Sequence, residues 1–194
     1  MRHTSGHHHP DPRAVSIGPL DLAARVDEAL AVQALAFGLT DDEVAVRHHI
    51  VLRHLTMTGA RALGATTDEG DRLVGFVYGM PNDRTQWWST VVHPYLRQEG
   101  HDAWLGDAFV ITELHVLPAF QNRGLGRALI TGITDGADEP RSILSALDTE
   151  SPARALYRSL GYRDLARRVR FPSASSPYVV MGAHLPLRRP PDRS

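Results

Sequence analysis

Leu22, Val26, Ala29, Leu30, Gln33 and Phe37 recur at helical spacing, an almost wholly apolar stripe, while Asp21, Arg25 and Glu28 fall off it. The pattern predicts an amphipathic helix over about 20–37, stopped by Gly38. Thr40-Asp41-Asp42-Glu43 reads as a capping box that opens a second helix, running to about Met57 with Gly59 near its end. The period then shortens. Residues 61–66 and 73–78 read as two strands of a hairpin, joined through Asp68-Glu69-Gly70-Asp71 and closed by Pro81-Asn82-Asp83. Residues 84–106 lack a clear period and predict a loop with one short helix near 89–99. Beyond them come a strong strand over 109–117, a helix over 123–135, a strand over 142–147 and a helix from Pro152 to Leu160, ended by Gly161. Two more strands are expected near 162–170 and 178–185. The order predicts a mixed α/β sheet flanked by helices.

The chain's 194 residues suit one domain, with 14–187 as its expected extent. Residues 1–13 and 188–194 read as disordered tails. The first ten residues are polar and lack the apolar core of a secretory signal, and no stretch approaches a membrane span. A cytoplasmic protein that does not engage membranes is expected. The chain has no cysteine, which excludes a disulfide framework, a thiolate nucleophile and a Cys-ligated metal. All 21 basic residues are arginine, so a Schiff-base or phosphate-binding lysine is excluded as well. A net charge of -1 speaks against a uniformly basic nucleic-acid surface. The charge is uneven, however: residues 1–122 hold nine arginines and fifteen acids, residues 123–194 twelve arginines and seven acids. An anionic ligand is therefore expected toward the C-terminal part.

Gln121-Asn122-Arg123-Gly124-Leu125-Gly126-Arg127 joins the predicted strand to the predicted helix. Glycines there let a ligand approach the main chain, and the first amides of a helix lack partners and carry partial positive charge. With Arg123 and Arg127 beside them, the segment reads as a pyrophosphate cradle. A dinucleotide site is the rival, with Asp148 as its acidic residue. The third glycine is missing, the loop from Leu117 is long, and too little chain follows Asp148 for a doubly wound sheet.

A strand ending in Val-x-Pro and then Gln-x-x-Gly-x-Gly resembles the acetyl-CoA signature of the GNAT N-acetyltransferase superfamily. A second block resembles the same family: Ala153-Arg154-Ala155-Leu156-Tyr157, followed by Gly161-Tyr162. The two cover about residues 109–165 in the right order. The resemblance implies a mostly antiparallel central sheet with a splayed cofactor-binding strand, and acetyl-CoA as co-substrate without a metal. It implies that the loop from Gln121 and Asn122 through Arg123, Gly124, Leu125, Gly126 and Arg127 holds the pyrophosphate. It further implies that the strand at Leu114, His115 and Val116 pairs with the pantetheine arm, and that Tyr157 protonates the leaving thiolate. The acceptor is then a small-molecule or peptide amine that attacks directly, and a homodimer fits the family. Two departures stand out: Gln121 where the family often has Arg, and Glu150 where many members have a cofactor-contacting Asn. Glu150 cannot supply that donor, so it falls outside the cofactor set.

Glu113 and His115, two apart on one strand, share a face. Either can serve as the base that accepts the acceptor's proton, and Glu113 is preferred because family members often carry an acid there. His48, His49 and His54 lie on one predicted helix without the four-residue spacing of a metal pair. Trp87, Trp88, Tyr95 and Trp104 either wall an acceptor pocket or fill a small satellite core. An inactive acyl-CoA-binding module is the alternative to an enzyme.

Overall fold

The computed structural model describes residues 14–188 apart from Gly70 and Ser173. The expected tails at 1–13 and 188–194 lie outside the described residues, except for Arg188, whose amide donates to the Leu160 carbonyl. In chain order the elements are β1 (Val15–Pro19), α1 (Val26–Phe37), α2 (Asp41–Leu55), β2 (Arg61–Thr67), β3 (Leu73–Pro81), α3 (Trp87–Gln98), β4 (Ala108–Val116), α4 (Leu125–Thr134), β5 (Arg141–Leu147), α5 (Pro152–Ser159), β6 (Arg163–Val169) and β7 (Tyr178–His184). They form one seven-stranded sheet in the order β1-β2-β3-β4-β5-β7-β6, antiparallel except where β4 meets β5.

Both ends of the α2 prediction have local causes. Thr40 accepts from the Glu43 amide, and the Glu43 carboxylate accepts from the Thr40 amide at 2.9 Å, which completes the capping box. The helix ends at Leu55, and Gly59 lies beyond it at positive φ. The α1 prediction began too early. Residues 21–25 form turns, with Asp21 accepting from the Ala24 amide, although buried Leu22 continues the apolar spacing. The five-residue β1 was not predicted. Its Gly18-Pro19 ending argues against a central strand but is tolerated at a sheet edge, which is where β1 lies.

Alternation divides the sheet into two faces. On β3, Tyr78 meets His54 of α2 and Phe76 meets His115 of β4, which in turn meets Phe37 of α1, while the opposite face at Gly75 meets Leu129 of α4. Gly126 of α4 approaches Leu156 of α5, so α4 and α5 share that second face. The segment that gave no clear period, 84–106, folds as α3 and a short 3-10 turn, Asp102–Leu105. Val92, Leu96, Trp104 and Leu105 close a second apolar cluster with Val110, Ile143, Leu165 and Val180, on the face of α1 and α2.

Two features of β4 shape the middle of the sheet. It pairs with β5 only from Ala108↔Arg141 to Ile111↔Leu144, and beyond that the strands part. Its register with β3 also shifts: Gly79 stands opposite Ile111 and Tyr78 opposite Glu113, which leaves Thr112 as the extra residue of a bulge. Gly79 is required at that bulge, because a Cβ would stand 2.3 Å from the Val110 carbonyl oxygen. Gly79→Ala is expected to destabilise by about 3 kcal/mol or to prevent folding. Gly18→Ala, where a Cβ meets nothing within 4 Å, should fall within about 0.5 kcal/mol of the parent in chemical denaturation.

Candidate active site

Main-chain groups in the gap between β4 and β5 can be assigned from register. The Leu117 amide donates to the Val74 carbonyl, so that residue faces β3, and alternation turns Glu113 and His115 the same way. Leu114 and Val116 therefore present their amides and carbonyls to the gap, while the main chain of His115 faces β3. The Val116 carbonyl accepts from Gln121 Nε2 at 3.0 Å, which ties the following loop to the strand end.

That loop reaches α4 through Asn122 at φ 61° and Gly124 at φ 80°. A side chain at Gly124 would be strained, and its Cβ direction is open space. The α4 N-terminus has no side-chain cap, so the amides of Leu125, Gly126 and Arg127 are free to meet an anion. The two arginines divide their work. Arg123 is exposed and lies over the Phe120 ring, 5.1 Å from its centre. The Arg127 guanidinium turns away to α5, where Nη2 donates to Ser159 Oγ at 2.6 Å and braces the two helices.

Tyr157, on α5, is buried at 8 % exposure with its ring 5.8 Å from that of Tyr162. Burial, with the Glu113 charge adding to it, pushes the phenol up to about 12, so it stays protonated at neutral pH. The helix that carries it is anchored by Arg154, whose side chain is fully buried. Its guanidinium meets Asp164 of β6 at 2.6 Å, Glu150 at 3.2 Å and Asp148 at 3.5 Å, and Arg167 closes the set on Asp148 at 2.7 Å. The sequence reading missed Arg154, which looked like a variable position of the second block. The signal was present in the acids at 148, 150 and 164 around it. Glu150 is held by Arg158 at 2.6 Å.

On the opposite face, Glu113 accepts from His115 Nε2 at 2.7 Å and from Arg47 of α2 at 3.2 Å. Burial alone would raise its pKa. The His115 bond and charge, the Arg47 charge and a bond from Gln33 outweigh burial and hold Glu113 below the ordinary carboxylate value. His115 is wedged between Phe37 and Phe76, with ring centres 6.0 and 5.7 Å away. Next to this cluster, His54 Nδ1 lies 3.2 Å from the Tyr78 hydroxyl. Burial pushes the imidazole down, helped by Arg53, and pushes the phenol well up. Tyr78 therefore donates to a neutral His54. Neither Arg47 nor His54 was singled out with Glu113 from sequence. His48 makes a 3.5 Å contact with Asp27, and no group of three or more His, Asp or Glu among the described residues is placed to hold a metal ion.

The structure thus has a gap in the sheet, an uncapped helix start after the strand that borders it, a buried phenol on one face of the sheet and an ionised carboxylate on the other, while the Arg127 side chain and the His115 main chain point elsewhere. An acetyltransferase (GNAT) domain model matches residues 59–164. The chain belongs to the GNAT acetyltransferase family. A GCN5-like protein acetyltransferase of Mycobacterium tuberculosis is 28% identical, over 89% of this chain and 98% of that protein. Among solved structures, a putative GNAT acetyltransferase of Desulfovibrio desulfuricans superposes with a TM-score of 0.65 at 19% identity, over 88% of this chain and 99% of the other. The ribosomal-protein-S18-alanine N-acetyltransferase of Escherichia coli gives 0.62 at 16%, over 93% and 99%. The PaiA N-acetyltransferase of Thermoplasma acidophilum, solved in complex with coenzyme A, gives 0.57 at 12%, over 88% and 99%. The GNAT fold read from the two sequence blocks, with its mostly antiparallel sheet, is therefore the fold of this chain. No helix among the described residues is long and apolar enough to cross a membrane.

The carboxylate cluster generates a pH prediction. Because the Glu113 pKa is depressed in the folded state, its stabilisation is present above the unfolded carboxylate value and is lost as pH falls through the folded one. Glu113→Gln should be less stable than the parent by about 1–2 kcal/mol at pH 7. Denaturant melts of the two proteins should converge as pH drops below about 4.

Proposed function

We propose that this chain is an acetyl-CoA-dependent N-acetyltransferase that passes the acetyl group directly to a primary amine. The observation that carries this reading is the gap itself, with unpaired main-chain groups along one wall and a buried phenol and an ionised carboxylate on its two faces. The donor set fits coenzyme A: the open Cβ direction at Gly124 leaves room beside the uncapped α4 amides, where a pyrophosphate is favoured. Leu125, Gly126 and Arg127 would hold it through their amides, with Arg123 adding charge and Gln121 and Asn122 shaping the loop. Leu114 and Val116 would pair with the pantetheine arm. His115 acts through its side chain, by orienting Glu113.

In the reaction, Glu113 takes a proton from the acceptor ammonium, directly or through one water. The freed amine nitrogen attacks the thioester carbonyl, and a gap-side amide of β4 steadies the oxyanion. The C–S bond breaks as the C–N bond completes, and Tyr157 gives its proton to the departing thiolate. The products are an N-acetyl amine and the free thiol of coenzyme A. With neither cysteine nor lysine in the chain, direct attack is the simpler course. The mycobacterial relative, a GCN5-like protein acetyltransferase, supports acetyl transfer, and a unit of 14–187 would carry the activity.

Saturating acetyl-CoA should raise the melting temperature by about 5–10 °C, as expected for a ligand bound only to the native state. No shift in a folded sample would overturn the assignment, and a shift without thiol release from any amine would point to a binding module. Tyr157→Phe should lower kcat about 100-fold while changing the KM for acetyl-CoA less than about threefold. An unchanged kcat removes Tyr157 from the acid role.

A further inference from the structure

The acceptor side of the gap carries paired opposite charges rather than one. Arg47 and Glu113 stand 3.2 Å apart, with side chains 32% and 22% exposed, so the pair is neither sealed in the core nor fully solvated. The two ends are not equally fixed. Glu113 accepts from His115, two residues along its own strand, at 2.7 Å, whereas Arg47 reaches it from α2, 66 residues away in the chain, on a long flexible side chain. Arg47 is the movable partner. An incoming ammonium that takes the Arg47-facing oxygen of Glu113 must displace the guanidinium, and a displaced guanidinium needs a new anion.

Aromatic side chains lead from this pair to the surface. Tyr178, at the start of β7, pairs with Leu147 at the end of β5 and packs on the second apolar cluster, which puts it half-buried across the gap from Glu113 on the same face of the sheet. Its ring meets Phe171 edge-on at 5.1 Å, and Phe171 meets Trp87 at 5.8 Å. Trp87 is 55% exposed, a large apolar face offered to solvent at the outer end of this aromatic row.

On the reading that this site transfers acetyl groups to amines, we propose that the acceptor is a free α-amino acid with an apolar or aromatic side chain. Its ammonium replaces Arg47 on Glu113, its carboxylate takes the freed Arg47 guanidinium, and its side chain lies along Tyr178, Phe171 and Trp87. The zwitterion presents the charges in the order that the pair accepts them. An amine without a carboxylate leaves Arg47 competing for Glu113, and bulk at the carboxyl end of a peptide falls where Arg47 stands. The product is an N-acetyl amino acid, with loss of one proton from the ammonium to Glu113 and release of the thiol.

The test is thiol release from acetyl-CoA with L-phenylalanine and L-leucine, each set against its amide, its decarboxylated amine and a short peptide bearing it at the N-terminus. Free amino acids should exceed the amides by about 10–100-fold in kcat/KM, as expected for one charge-assisted contact. In Arg47→Met, checked for an unchanged melting profile, that ratio should fall to within about threefold of one, while Arg47→Lys should keep part of it. Amides, simple amines or peptides turned over as well as the free acids by the wild-type enzyme would overturn the assignment and leave the transferase reading intact. Acetyl-CoA binding without thiol release in the presence of any amine would overturn both.

Discussion

Where β4 and β5 part, the sheet must leave main-chain donors and acceptors without a neighbouring strand. Buried groups of that kind are costly, so a break inside a seven-stranded sheet persists only if something else holds its walls. The surrounding structure does that work. The bulge at Thr112 bends β4 away, and Gly79 makes room for it because the Val110 carbonyl occupies the space of a Cβ. Gln121 covers one of the exposed carbonyls. Arg127 and Ser159 tie together the two helices on one face, and Arg154 fixes the second of them to β5 and β6 through three carboxylates.

The same parting explains why the site residues belong to different electrostatic settings. A buried phenol with only a distant negative charge rises in pKa, while a carboxylate flanked by His115, Arg47 and Gln33 falls despite its burial. Both remain in the protonation state that the proposed acid and base need at neutral pH. Neither setting arises within a single segment of chain: each is assembled by helices that come from opposite sides of the sheet.

That division also marks how much was legible in the sequence. Periods of 3.6 and 2 located the helices and the inner strands, and the capping box at Thr40 and the proline at 152 set their starts, because those signals are local. The glycine loop and the second block pointed to the family through spacing alone. The parting was implied only through the family resemblance and its splayed strand; the residues did not show it, since 109–117 and 142–147 each read as an ordinary strand and a bulge leaves no period of its own. The strand at Val15–Pro19 was too short and too rich in breakers to register. Arg47 and Arg154 were missed for a related reason. Their roles depend on carboxylates that the fold brings to them, and one of those lies 66 residues away. The tryptophans proved to be of two kinds: Trp104 sits in the second apolar cluster, and Trp87 stands out to solvent.

Tyr157 and Glu113 occupy opposite faces of one sheet, and this bears on proton traffic. With the two as the proposed acid and base, the proton taken from the acceptor on the face of α1 and α2 would not be the one given to the thiolate on the face of α4 and α5. Turnover would then need two proton exchanges with water, one on each face. The Glu113 charge still reaches the phenol across the sheet and adds to its raised pKa, so the two exchanges would be linked through the field.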